Sequence, residues 1–262
     1  LTELHTLASG SSGNAALLSR NGTYLLLDAG ISCRRITAAL RELGLEPADL
    51  SAILITHTHT DHISGLATLM NRCGAPVCAS GPAARELSRR IAGIEPRLRP
   101  FSPGESFSVG SCTVSPFPTS HDAPGSVGYR FDEVGVLTDS GCILPEAAET
   151  LQGTRLLMLE ANHDVDMLRS GPYPYYLKAR ILSDRGHLSN ESAGAFAVQA
   201  ALWGAQEIVL AHLSQQNNTP ERAMSAVSGA LREAGEAPRL SVAPRAALSA
   251  AYRTAEAVKC SG

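Results

Sequence analysis

The chain is poor in aromatic residues, holds a single tryptophan and has no long apolar run. No stretch of its 262 residues reaches the ~18 consecutive apolar positions of a membrane helix. The nearest, Ala193–Ala205, is interrupted by Gly194, Gln199 and Gly204 and reads as a buried helix of a soluble protein. No leader of basic and then apolar residues opens the chain, although a start at Leu1 and not Met is compatible with a trimmed one. No close CxxC pair links Cys33, Cys73, Cys78, Cys112, Cys142 and Cys260, so they read as free or buried thiols in a reducing compartment. The expected location is therefore cytoplasmic, with no membrane association. No linker or low-complexity stretch divides the chain, and a single domain over 1–262 is expected. Positive charge is also in deficit. A net charge of −3 lacks the overall basic footprint of a nucleic-acid binder. Residues 83–99 carry five arginines against two glutamates, which suits a solvated helix face better than a DNA track.

What the chain does have is Thr56-His57-Thr58-His59-Thr60-Asp61-His62, directly after the apolar Ile53-Leu54-Ile55. A surface loop has no structural need for that concentration of imidazole and carboxylate, whereas a hydrolytic metal centre does. In an extended loop, residues two apart point the same way, so His57 and His59 can close on one ion. The adjacent Asp61 and His62 can turn toward a second. Such donors suit Zn²⁺ or Mn²⁺: imidazole favours Zn²⁺ on affinity and the carboxylates make Mn²⁺ usable. Two ions roughly 3.5–4 Å apart can clamp a phosphoester or carbonyl oxygen around a shared hydroxide.

Periodicity predicts strands at Leu4–Ala8, Asn14–Ser19, Thr23–Leu27, Ala52–Thr56 and Pro76–Ala79, with Asn21-Gly22 as a hairpin turn. Helices are expected at Ser32–Leu43, Ile63–Arg72 and Pro82–Ile91. Strands follow at Ser106–Val109, Cys112–Phe117, Val127–Phe131 and Gly135–Thr138. The rest alternates: helix Glu146–Leu151, strand Arg155–Glu160, helices Tyr175–Ser183 and Glu191–Leu202, strand Glu207–Ala211, helix Pro220–Ala234. Two mixed sheets enclosed by helices fit this order, an α/β four-layer αββα sandwich. Strand ends deliver Asp28, His57, Asp139, Glu160 and His212, expected to face one groove.

Three of these contexts supply further ligands. His121, after a strand, can complete a three-imidazole set with His57 and His59. Asp139 ends Val136-Leu137-Thr138 and can bridge two ions with its two oxygens. His212 follows Ile208-Val209-Leu210-Ala211 and can join Asp61 and His62. His187 stands just before a helix capped by Ser189 or Asn190, where it can bind a phosphate oxygen, protonate a leaving alkoxide or serve as a further cap. Ser11, Ser12 and Asn14 sit in a small-residue loop that either positions a phosphate or is simply a tight turn. His163 reads equally as a ligand's supporting residue, a substrate contact or a solvated loop residue. Asp164 can orient a ligand imidazole, and His5 reads as a strand residue with no role.

The ordered set His57-Thr-His59-Thr-Asp61-His62, His121, Asp139 and His212 resembles the five motifs of the metallo-β-lactamase superfamily. A bridging Asp139 resembles its phosphodiesterase and nuclease branch, since true β-lactamases typically carry a cysteine there. Leu7-Ala-Ser-Gly-Ser-Ser-Gly-Asn14, Leu159-Glu-Ala-Asn-His-Asp164, Gly186-His-Leu-Ser-Asn190 and Leu210-Ala-His-Leu-Ser214 with Asn217-Asn218 are similar to the YycJ/WalJ family of bacterial cytoplasmic proteins. This resemblance runs from about Leu4 to Ala230. It implies a 5′→3′ exonuclease on double-stranded DNA, connected with mismatch repair and with a cell-wall two-component system. It also brings Asn217 among the substrate-binding candidates. His187 matches the extra catalytic histidine of the ribonuclease Z enzymes, but neither a β-CASP insertion nor an RNA-gripping arm is seen.

The expected mechanism has metal one on His57, His59 and His121, metal two on Asp61, His62 and His212, and Asp139 between them. The metal-activated hydroxide attacks phosphorus, with Asp61, Asp139 and His187 as the catalytic side chains and DNA as substrate; protein partners stay unknown. Two other readings stay open. One is a small-molecule hydrolase, acting on a cyclic phosphodiester, thioester or lactone. The other is a metal-stabilised scaffold without catalysis. A long groove lined by Arg85, Arg89, Lys178 and Arg180 would favour DNA, and a narrow closed pocket the small molecule.

Overall fold

The computed structural model describes residues 2–254. Its strands are β1 (Thr2–Ala8), β2 (Ala15–Arg20), β3 (Thr23–Leu27), β4 (Ala52–Leu54), β5 (Val77–Ser80), β6 (Leu98–Phe101), β7 (Phe107–Val109), β8 (Cys112–Pro118), β9 (Val127–Phe131), β10 (Val134–Leu137), β11 (Leu156–Glu160), β12 (Glu207–Ala211), β13 (Arg239–Val242) and β14 (Tyr252–Arg253). They form two seven-stranded sheets of like design, β14-β1-β2-β3-β4-β5-β6 and β13-β12-β11-β10-β9-β8-β7. In each, an antiparallel part runs into a parallel part, β3 to β6 in the first and β10 to β13 in the second. Asn21 and Gly22 both take positive φ, 46° and 77°, as a two-residue hairpin turn between twisted strands requires.

Strand alternation sends side chains to two different cores. Leu25 and Leu27 pack between the sheets, while Leu26 packs outward. Leu156 and Met158 likewise face the inter-sheet core, and Leu157 and Leu159 face outward. Both faces of each sheet are therefore apolar, and helices must close the outer ones. Helices α1 (Cys33–Glu42), α2 (Thr60–Ile63), α3 (Leu66–Met70) and α4 (Gly81–Arg90) belong to the first sheet. Helices α5 (Pro145–Leu151), α6 (Val165–Ser170), α7 (Tyr175–Ile181), α8 (Asn190–Leu202) and α9 (Pro220–Glu233) belong to the second. The result is the expected αββα sandwich.

Two element-level readings change. The single helix over Ile63–Arg72 is two short ones that break at Gly65, whose backbone runs against the 29–31 loop. Its N–H donates to the Ala29 carbonyl, and a Cβ there would lie 2.0 Å from the Ile31 oxygen. Strands β6, β13 and β14 and helix α6 complete the set; β6 contains Pro100 and an exposed Arg99, which masks its pattern. The arginines of 83–99 act largely on protein carbonyls. Arg90 donates to Thr58 O, Arg97 to Ala75 O and Met70 O, and Arg99 to Leu98 O and Pro96 O. Cys33, Cys73, Cys78 and Cys112 are buried free thiols and Cys142 is half-buried and free, while Cys260 lies outside the described residues. No helix among the described residues is long and apolar enough to cross a membrane.

Candidate metal centre

The C-terminal ends of the parallel strands are where open α/β sheets place their ligand sites. Here Asp28 follows β3, Asp139 lies two residues beyond β10, Glu160 ends β11 and His212 follows β12, while the loop after β4 carries His57, His59, Asp61 and His62. Asp28, Asp139 and His212 hold φ of 58°, 59° and 55°. The left-handed region is uncommon for non-glycine residues and is paid for where function needs a side chain aimed. The His loop is fixed by the first sheet. Ala29 N–H donates to His62 O, Asn14 N–H to Asp61 O and Gly30 N–H to Asn14 O. Gly30 is obligatory in this contact, since a Cβ would fall 1.6 Å from Asp61 O.

All seven residues expected as ligands converge. His57, His59 and His121 bring one donor atom each within 4.8 Å of one another, and so do Asp61, His62 and His212. Asp139 forms a third such group with His57 and His62, and a fourth with Glu160, His187 and His212. His59 Nδ1 lies 3.2 Å from His121 Nε2, and His62 Nε2 lies 3.4 Å from Asp139 Oδ2.

The opposite nitrogen of each imidazole is occupied. His57 Nδ1 lies 3.1 Å from Thr56 Oγ1, and that hydroxyl donates in turn to Asp28 Oδ2. His62 Nδ1 donates to Asp28 Oδ2 at 2.7 Å, and His212 Nδ1 to Glu160 Oε1 at 3.0 Å. His121 Nδ1 donates to Gly186 O at 3.1 Å, and His59 Nε2 stands 3.4 Å from Asp122 Oδ1. Such outer partners fix tautomer and orientation for metal ligation. Meanwhile the buried inward atoms His57 Nε2, His212 Nε2 and Asp139 Oδ2 have no hydrogen-bond partner. Unpaired buried polar atoms are costly, and divalent cations held by these groups would satisfy them. The donor set of imidazoles and carboxylates thus fits one or more divalent ions.

The charges agree. Burial keeps His57 well below the usual imidazole pKa, in the neutral form a ligand needs. For His62 burial opposes a charge, but Asp139 and Asp28 outweigh it and lift the pKa to about 9. His212 is raised well above the usual value, because Asp139, Asp61 and Glu160 outweigh the burial that opposes its charge. Burial would raise the Glu160 carboxyl, yet His187 and His212 more than reverse it, so it stays ionised. A site that collects protons on its ligands in this way offers a metal cation the same favourable field.

His187 is one-fifth exposed and lies at the mouth. Its Nδ1 donates to Glu160 Oε1 at 2.8 Å and sits 3.7 Å from Asp139 Oδ1. Ser189, not His187, caps α8 by accepting from Ser192 N–H. These groups open on a cavity of ≈ 240 Å³ lined by Ser11, His59, Asp61, Asp139, His187 and His212, with Arg180 and Arg185 on its rim. Of the basic residues expected along a groove, Arg180 reaches the lining, and its Nε pairs with Asp122 Oδ2 at 2.5 Å. Lys178 Nζ donates to Arg169 O instead.

The substrate-binding candidates separate. Ser11 lines the cavity, whereas Ser12 is exposed beside it. Asn14 accepts from Gly10 N–H, and its Nδ2 lies 3.0 Å from His62 Nε2, so it touches the ligand set itself. His163 is buried outside the lining, with both ring nitrogens unpartnered among the described residues, and burial lowers its pKa to about 4. Asn217 is buried, its N–H and Nδ2 donating to Ser214 Oγ and its carbonyl accepting from Asp164 N–H. Asp164 itself caps α6 and pairs with Arg222. His5 Nδ1 donates to Ser249 O. The sequence placed Asp28 and Glu160 at strand ends facing the common groove but assigned neither a partner, and it did not single out Asp122. For Asp28 and Glu160 the signal was present, a carboxylate closing a buried apolar strand.

The Beta-lactamase superfamily domain matches residues 23–213. Exodeoxyribonuclease WalJ of Streptococcus pneumoniae is 39% identical over 235 residues, 87% of this chain and 87% of that protein. Exodeoxyribonuclease YycJ of Bacillus anthracis is 37% identical over 234 residues, 87% of this chain and 89% of that protein. The metallo-beta-lactamase fold protein YhfI from Bacillus subtilis superposes with a TM-score of 0.73 at 16% identity, over 95% of this chain and 98% of that one, a likeness of fold alone. The chain belongs to the metallo-β-lactamase superfamily and is a metal-dependent hydrolase. Within the superfamily it is a member of the YycJ/WalJ-like family.

Proposed function

We propose that the protein is a two-metal nuclease that degrades double-stranded DNA from the 5′ end, built as one domain over the chain. The observation that carries this reading is Asp139, whose buried, unpartnered Oδ2 faces donors of both three-residue sets. Kinship to two exodeoxyribonucleases supports the substrate. In this reading His57, His59 and His121 hold one divalent ion, Asp61, His62 and His212 hold the other, and Asp139 bridges them. Zn²⁺ or Mn²⁺ fits these donors. When bound, such ions lower the pKa of water and neutralise charge gathering on a phosphoryl group.

The side chains supply the rest. Asp61, besides ligating, accepts a hydrogen bond from the attacking water and orients it. His187 keeps Nδ1 on Glu160, which leaves Nε2 to donate to a phosphate oxygen or to the departing alkoxide. Glu160 accepts from Nδ1 and so aims Nε2 at the reacting phosphate, and the same carboxylate orients His212. Ser11 contacts the phosphate, while Ser12 and Asn14 shape its loop and His163 and Asn217 brace the loops behind it.

The compact cavity favours a second reading, a small-molecule phosphodiesterase. The deciding experiment compares kcat/KM on linear duplex DNA, on cyclic nucleotides and on thioester and lactone substrates with Zn²⁺ or Mn²⁺. Preference for duplex DNA by orders of magnitude is the expected result. Faster turnover of a cyclic nucleotide or an acyl substrate would replace the nuclease reading with the second one.

A further inference from the structure

Three of the four large apolar side chains that stand exposed among the described residues lie in one short segment: Tyr175 at 86%, Tyr176 at 75% and Leu182 at 41%. The segment is α7 and its flanks, and no residue of α7 is buried. Exposed apolar surface concentrated in one place marks an interaction site. A helix that packed only for stability would turn its aromatic rings inward. Here the inner side is made by Leu177 and Ile181, which line the cavity over the metal ligands, and the tyrosines point elsewhere.

Charge and connectivity indicate what the rings meet. Residues 169–185 hold Arg169, Lys178, Arg180 and Arg185 against Asp184 alone, in a chain whose net charge is negative. Arg169 and Arg185 are exposed, and Arg185 lines the cavity while donating to His121 O. The C-terminal end of the segment is bonded into the loop of His187: His187 N–H donates to Ile181 O and Gly186 N–H to Ser183 O. Aromatic faces beside cations, continuous with a phosphodiester site, are the combination that holds nucleic-acid ends, because every base offers a π-face and every linkage a negative charge.

We propose that this segment grips the DNA end, Tyr175 and Tyr176 stacking on terminal bases while Arg169 and Arg185 take flanking phosphates. The inference rests on the nuclease reading and adds to it the element that seats the substrate. It also reconciles a small cavity with a large substrate: the cavity admits one phosphodiester, and the duplex end stays outside on α7.

The test is steady-state kinetics on end-labelled duplex DNA for the wild type, Y175A/Y176A and Y175F/Y176F. The alanine pair is expected to raise KM about tenfold or more, since a base–aromatic stack contributes about that factor. Its kcat at saturating DNA should change less than twofold, and the phenylalanine pair should restore KM. Abasic nucleotides at the DNA end should raise the wild-type KM similarly and leave that of the alanine pair unchanged. An unchanged KM in the alanine pair overturns the proposal. So does a loss the phenylalanine pair fails to restore, which would make the role structural. Unchanged DNA kinetics with an altered elution volume would assign the face to a second copy of the chain instead. Wild-type protein that hydrolyses a small phosphodiester but no DNA overturns the nuclease reading, and this proposal with it.

Discussion

Each imidazole of the centre has one nitrogen beside a named outer partner and the other turned toward the ligand set, which makes the outer partners as testable as the ligands. Glu160 accepts from four groups at once, His187 Nδ1, His212 Nδ1, Ser140 N–H and Leu188 N–H. Glu160→Gln keeps the volume but turns an amide donor toward those N–H groups. Metal affinity at the Asp61–His62–His212 set should fall about 10–100-fold, measured by competition with a chromogenic chelator, and an unchanged affinity would refute the orienting role. His187→Ala should instead keep its metal content, measured by elemental analysis, and lose turnover by about 10²–10⁴-fold. If it loses metal and retains activity per bound ion, His187 is a ligand. The pH dependence follows from His62. Its pKa of about 9 exceeds the unfolded value near 6.5, so the proton stabilises the metal-free fold fully below about 6.5. That contribution is lost as pH rises through about 9. A metal must displace the proton, so its affinity should climb with pH across this window, with proton release on loading in weak buffer. A flat affinity from pH 6 to pH 9 would contradict this.

At the scale of elements, close backbone contacts decide what substitutions cost. Gly30 and Gly65 admit no Cβ, whereas an added Cβ at Gly74 meets nothing within 4 Å. Gly30→Ala should therefore lower stability by about 1–3 kcal/mol or more in urea titration, and loosen the Asp61 loop enough to reduce metal content. Gly74→Ala should sit within about 0.5 kcal/mol of the parent. The same contacts explain what the sequence conveys of the elements. Alternating Leu25-Leu26-Leu27 and the run Leu156-Leu157-Met158-Leu159 announce buried strands on their own. The break at Gly65 depends on a carbonyl more than thirty residues away, and β6 is an edge strand whose Pro100 and Arg99 mimic a loop. No local periodicity carries either fact.

For the whole molecule, two sheets of matching topology place their strand ends together, and the site exists only because both cores set that relation. Leu157→Ala, fully buried on the outer face of β11, should cost about 2–5 kcal/mol, and Leu202→Ala, 61% exposed, close to nothing. The seven ligand candidates were legible because ligation demands rare residue types at strand ends. The roles of Asp28, Asp122 and Glu160 were not, since each depends on which distant imidazole lies beside it. The exposed pair on α7 was equally hidden, because a helical tyrosine reads as core until its surroundings are known. The central claim is that this centre removes nucleotides from the 5′ ends of duplex DNA. It is tested most directly by digesting linear duplexes labelled at the 5′ or the 3′ end, with Mn²⁺, beside the Asp61→Ala protein. Early release of the 5′ label, progressive shortening of the 3′-labelled strand and the absence of both in the mutant are predicted. Release of the 3′ label first, internal cuts, or equal digestion by Asp61→Ala would contradict the account.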